Sequence, residues 1–368
     1  MPGTASSVRT DPGGAAVEPA TVQVTALGVP IDVTGLSAEE AAGFRAAWSR
    51  CLARGTEAAG TVAAGTVARI TGSFDRADEH LTSTITLTAI DQLAGRLMMF
   101  HACGLADSTG ATVAFIAPSG TGKTTVARTL GTGLGYVSDE TIAVDEELRI
   151  VPYPKPFSVK QPEAGLPKLQ QGPHSFPLGR TPAKPFLRAI TLLSRHDGGG
   201  PVVLEAVPLV EAVLELTPQL SALASLDRGL VQLCRMIDAC GGVTRIRYSE
   251  AAGIREVLPE LSAPSGAGTD PWTALELDRS DTGLRTGVRR AAARDAVEVA
   301  GVVLVLVNTQ VMELGPLGGI IWELAAGWTS RDEVLAGVVE RIGGHPDAAQ
   351  LIGAALDELV AKGVLEQA

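Results

Sequence analysis

Residues 111–125 read ATVAFIAPSGTGKTT. The first six form a short apolar β run. The next nine hold two glycines and a lysine, and residues 124–130 then take up helical periodicity. A strand, a glycine-rich turn and a helix, in that order, are the context in which a loop cradles phosphates. Residues 117–124 fit A-x-x-x-x-G-K-T, with Ala117 where the usual pattern begins with glycine. Gly120 and Gly122 let the backbone curl so that successive N–H groups point inward. The following helix offers its positive N-terminus. Ser119, Gly120, Thr121, Gly122, Lys123, Thr124 and Thr125 are therefore the expected nucleotide-binding residues, for ATP with Mg²⁺. Lys123 would reach the β- and γ-phosphates, and the Thr124 hydroxyl would sit on the metal. The bland alternative is a glycine-rich turn that binds nothing.

Working outward, residues 136–138 form a second short strand that ends at Asp139–Glu140, 16 residues after Lys123. Phosphoryl transfer needs a carboxylate near the γ-phosphate to hold metal or take a proton, and the end of the neighbouring strand is where one would stand. Residues 141–144 and 149–151 follow as a hairpin turning at 145–147. Residues 152–188 are rich in Pro and Lys without periodicity, as a functional loop can be. Strands are expected at 189–194, 202–208 and 244–248, with helices over 210–240. Upstream, 22–33 reads as one strand. Ser37 with Glu40 is a capping box opening a helix to about Leu52, and 66–71 is a further strand. A long helix over 81–103 would carry His101 at its end.

In order and spacing, residues 80–205 resemble the bacterial HPr kinase/phosphorylase enzymes. The matching elements are His101-Ala102, the loop A-P-S-G-T-G-K-T-T and the run G-Y-V-S-D-E ending at Asp139 and Glu140. The resemblance implies an α/β P-loop kinase core of the HPr kinase type. It implies catalytic roles for Lys123, for Asp139 as general base and for His101, and metal ligation by Thr124 and Glu140. Glu140 replaces the family's second Asp, and the family's later signature motif is missing. Neither phosphorylase activity nor HPr as substrate is expected.

Residues 262–271, SAPSGAGTDP, are small, polar and rich in Gly and Pro. They divide the chain into a disordered tail (1–20), a kinase domain (21–261), a linker (262–274) and a C-terminal unit (275–368). That unit has three β runs at 296–300, 302–307 and 310–314. Helices follow at 316–326, 330–342 and 347–362, with a Ser330–Glu333 capping box and a helix-ending Gly363. Over residues 290–366 it resembles PqqD-like domains, winged-helix-like α+β modules that hold the leader of a ribosomally made precursor peptide. The resemblance implies a leader bound along the strand 310–314 and against 351–359.

The net charge of −11 argues against nucleic acid and anionic membranes as partners. Four cysteines without C-x-x-C spacing, and five histidines, argue against structural zinc. The N-terminus has no apolar signal-peptide core, and the run 299–307 is far too short to span a bilayer. The expectation is a cytoplasmic, leader-dependent kinase for a Ser or Thr of a precursor peptide, with a homo-oligomer left open. Its rivals are a small-metabolite kinase of the same fold and a nucleotide-gated peptide-binding protein without catalysis.

Overall fold

Ala111–Ile116 is buried at every position, which a strand achieves at the centre of a sheet covered on both faces. The computed structural model, which describes residues 19–53, 65–263, 269–278 and 286–368, makes it an inner strand of six. The order across the sheet is Val203–Val207, Val243–Tyr248, Phe186–Arg195, Ala111–Ile116, Ala102–Ala106 and Gly135–Ser138. Phe186–Arg195 runs parallel to both of its neighbours. Ala102–Ala106 is antiparallel to the strands on each side of it.

Side chains alternate across this sheet with period two. Ala114, Ile116, Ile190 and Leu192 face the helices Leu209–Leu216 and Gly229–Cys240. Val113, Phe115 and Leu193 face the helix Lys123–Leu130, which follows the glycine loop, and the helix Ile254–Ser262.

The N-terminal region corrects the expected single strand 22–33. Ala20–Ala26 and Val29–Leu36 are an antiparallel hairpin. Leu27 and Gly28 both have positive φ, 51° and 81°, as a two-residue turn matched to the sheet's twist requires. Buried positions slip there from even (Val22, Val24, Ala26) to odd (Val29, Ile31, Val33). Gly65–Ala68 adds a third strand, and Ala38–Ala47 and Phe74–Leu93 cover the sheet. The Ser37–Glu40 capping box forms. Residues 1–18 of the expected tail lie outside the described residues.

The expected helix 81–103 is also corrected. The helix ends at Leu93, and Gly95 follows with φ 79°. The chain then forms two strands, Met98–Phe100 and Ala102–Ala106, in different sheets. His101 sits at the corner between them.

In the C-terminal unit, Trp272–Ala274, Ala293–Val299, Val302–Val307 and Gln310–Leu314 form an antiparallel sheet. Helices Pro316–Leu324, Arg331–Ile342 and Ala348–Ala361 lie on one face, over Val303, Val305 and Val307. The opposite face, with Val297, Val299, Leu304 and Leu306, joins the core around Gly229–Cys240. Trp272–Ala274 is thus an edge strand inside the stretch expected as linker, while 264–268 lie outside the described residues. The Ser330–Glu333 capping box forms, and Gly363 has φ 70° just past the last helix. Among the described residues no helix is long and apolar enough to cross a membrane. All four cysteines are buried and unpaired.

Candidate nucleotide and phosphoryl-transfer site

The loop that follows Ala111–Ile116 owes its shape to two glycines. Gly120 and Gly122 have φ of 85° and 105°, and neither has any atom within 4 Å of an added Cβ. Backbone conformation, not crowding, therefore demands glycine there. Gly122 is the N-cap of Lys123–Leu130, and no side chain caps that end among the described residues. The amides of the first turn are left for an anion. The Lys123 ammonium donates to the carbonyls of Ala117 at 2.5 Å and Pro118 at 3.1 Å. Burial lowers its pKa to about 8, against the pull of the Cys103, Asp139 and Glu140 side chains.

Sheet direction explains how the other residues converge. The strand Gly135–Ser138 is two antiparallel steps from Ala111–Ile116, so the two run the same way. Asp139 and Glu140 therefore leave the sheet at the edge where the candidate phosphate loop begins. Ala102 pairs with Ile116, which brings His101 to the same edge. The Ala102 amide donates to the Glu140 carbonyl at 3.1 Å, and the His101 amide donates to Gln219 at 2.7 Å. Burial first, and then the charge of Lys123, lower the His101 pKa, so its imidazole is neutral near neutral pH.

Asp139 is 6 % exposed and accepts from several donors. The Thr124 hydroxyl donates to its Oδ2 at 2.9 Å, and the buried Tyr136 hydroxyl to its Oδ1 at 2.9 Å. The Lys155 ammonium lies 3.3 Å from Asp139 Oδ1 and 3.0 Å from Glu140 Oε2. Burial alone would lower the Lys155 pKa. The two carboxylates together outweigh it and hold the ammonium above the ordinary lysine range. The Glu140 side chain is 31 % exposed, and its Oε2 also lies 3.5 Å from Thr86 Oγ1, which bonds the Tyr153 hydroxyl at 2.9 Å.

All the expected site residues 101, 119–125, 139 and 140 thus gather at one sheet edge. Sequence reasoning missed Lys155, Tyr136, Tyr153 and Thr86. The available signal for Lys155 was its place in P-Y-P-K-P-F, between two prolines in the stretch expected as a functional loop.

Among the described residues no three His, Cys, Asp or Glu side chains cluster in a way that could hold a metal. Mg²⁺ needs no such cage. It keeps waters and takes one or two protein oxygens plus substrate phosphates. The hydroxyl of Thr124 and the carboxylate of Asp139 are a fitting pair of hard oxygen donors.

In the C-terminal unit, Gln310–Leu314 is an edge strand, paired only with Val302–Val307 among the described residues. Of the expected second wall, Leu351 is 53 % exposed, while Ile352, Leu356 and Leu359 are buried in the unit's own core. No family model matches the chain, and no curated protein matches it.

Proposed function

We propose that this chain is an ATP-dependent, Mg²⁺-requiring kinase that phosphorylates a Ser or Thr hydroxyl of a ribosomally made precursor peptide. The observation that carries the reading is the Thr124–Asp139 hydrogen bond at 2.9 Å, at the mouth of a glycine-shaped loop that also presents Lys123. A hydroxyl after the loop lysine, touching a carboxylate at the end of a neighbouring strand, is the arrangement P-loop enzymes use around Mg²⁺.

In this reading the acceptor oxygen forms a bond to the γ-phosphorus as the bridging bond to the β-phosphate breaks, and the hydroxyl proton passes to a carboxylate. A bound Mg²⁺ would supply charge neutralisation across the β- and γ-phosphates. Lys123 leaves the carbonyls of Ala117 and Pro118 to meet the phosphates, and helix N–H groups hold their oxygens. The resemblance casts Asp139 as base and Glu140 as metal ligand. The bond from Thr124 and the burial of Asp139 support the exchanged assignment. Asp139 then stays on the metal side, and the more exposed Glu140 takes the proton. Lys155 holds both carboxylates in place, at 3.3 and 3.0 Å. The edge strand Gln310–Leu314 supports leader docking by strand addition.

The test is phosphate transfer to a candidate precursor peptide, followed by mass spectrometry, with and without its leader. The expected result is a phosphopeptide that requires the leader and is lost in Lys123→Ala. Transfer only to small hydroxyl compounds would favour the metabolite-kinase reading. ATP binding without turnover on any acceptor would favour the non-catalytic one.

A further inference from the structure

The phosphate-loop helix has a second functional face. Lys123, Val126, Ala127 and Leu130 point into the core, whereas Thr125 and Arg128 are exposed and Thr129 is half-buried. Residues three and four apart share a helix face, so Thr125, Arg128 and Thr129 form one surface strip. It starts one residue after Thr124 and continues about one helical turn, ~5.4 Å, away from the phosphate end. Phe176 and Pro177 wall the strip, and together these five residues line an open recess of about 400 Å³.

The recess has an aromatic floor in a chain with only 4 % aromatic residues. The Arg128 guanidinium lies over the Phe176 ring, 4.6 Å from its centroid. Phe176 meets Phe157 edge-on at 5.0 Å, and Phe157 meets Tyr136 at 4.7 Å. This series ends on the Tyr136 hydroxyl that donates to Asp139. The wall is fixed from behind, because Arg50 donates to the carbonyls of Gly179 at 2.8 Å and Leu178 at 3.1 Å. At the helix's far end Arg255 donates to Thr129 and Leu130 carbonyls at 2.9 and 3.2 Å.

Resting on the nucleotide-kinase reading, we propose that this recess is the nucleobase subsite. The α-phosphate lies by Thr125, the ribose crosses one helical turn, and the base stacks on the outer face of the Arg128 guanidinium, which Phe176 backs. Guanidinium and aromatic planes both accept a base face-on. The lining side chains include no carboxylate or carboxamide to read a base edge. The subsite therefore holds a purine by stacking and does not distinguish adenine from guanine.

Calorimetry on the full chain tests this with ATP, GTP and inorganic tripolyphosphate, which has the phosphates and no base. The wild type should bind ATP and GTP within about threefold of each other and tripolyphosphate roughly tenfold more weakly, the scale of one base stack. The combined variant Arg128→Ala, Phe176→Leu should weaken ATP and GTP about tenfold and leave tripolyphosphate unchanged. Thr129→Trp, which fills the recess without removing packing, should do the same. Wild-type ATP affinity in both variants, or an equal loss of tripolyphosphate affinity, overturns the subsite and leaves the phosphate-loop reading standing. A wild type that binds none of the three overturns both.

Discussion

Lys155→Met removes the more deeply buried of the site's two lysines, as a whole residue 2 % exposed against 6 % for Lys123. The Lys155 side chain is 3 % exposed and faces two carboxylates, one 4 % exposed at 3.3 Å and one 31 % exposed at 3.0 Å. Water screens the Glu140 contact in part, so the Asp139 contact dominates. Removing one partner of a buried pair leaves the other charge uncompensated and costs roughly 3–5 kcal/mol. That is a large share of the stability of a typical domain. In the wild type the folded pKa of Lys155 is raised. Its contribution is complete below the ordinary lysine value and is lost only as pH climbs through the folded value, beyond the neutral range. The variant's deficit should therefore be complete at neutral pH. Urea unfolding of both proteins at neutral pH measures it. A deficit below about 1 kcal/mol at neutral pH refutes the paired-charge account.

Three further outcomes are expected. The free protein's Lys123 loses its proton above about pH 8, so kcat/KM for nucleotide should fall there, whereas kcat, set in a complex whose phosphates favour the ammonium, should hold to higher pH. Initial rates from about pH 6 to 10 decide this, and an unbroken kcat/KM plateau would contradict it. Asp139→Asn should raise the Mg²⁺ concentration needed for turnover, and Glu140→Gln should slow single-turnover chemistry at saturating Mg²⁺. The opposite pattern restores Asp139 as base. Asp295→Ala should cost roughly 3 kcal/mol in urea unfolding, because Asp295 is fully buried, pairs with Arg228 at 2.9 Å and accepts the Val231 amide at 2.9 Å. A loss under about 1 kcal/mol would remove it as a structural anchor.

The strand–glycine loop–helix, the acidic pair after the next strand and both capping boxes were legible because each depends on contiguous residues. A strand, two glycines and a lysine at fixed spacing leave few conformations that satisfy the backbone. What stayed hidden depends on partners distant in sequence. Lys155 meets Asp139 only because a hairpin and a proline-flanked turn fold back on the site, and no local periodicity encodes that. The turn at Leu27–Gly28 was masked by its apolar residue, although the phase of the alternation changes there. Met98–Phe100 extends an apolar helical pattern beyond the helix's true end, which Gly95 with its positive φ marks. At both places the phase of the alternation and the position of a glycine decide the structure, and hydrophobicity alone does not.

The seating of the C-terminal sheet changes how leader recognition would work. The helix Gly229–Cys240 begins at Arg228 in a left-handed conformation and has no capping side chain of its own. Asp295 supplies the cap from the C-terminal sheet, and Asp270 likewise accepts the Leu209 amide at 2.9 Å at the start of Leu209–Leu216. Val297, Val299, Leu304 and Leu306 bury against the same core. A freely tethered module would raise the acceptor's effective concentration by an amount set by linker length. Here the sheet is fixed to the helices behind the six-stranded sheet, so rigid geometry would set the distance from Gln310–Leu314 to the candidate phosphate loop. The number of residues between leader and modified position should then matter sharply. The segment 217–226 joins these helices and pairs through Leu220–Ser221 with Met99–Phe100, next to His101. The surface that seats the module is therefore continuous with one wall of the candidate active site. Cutting away residues 275–368 would uncover the core against which Val297, Val299, Leu304 and Leu306 pack and would remove the Asp295 cap, so the two units should unfold together.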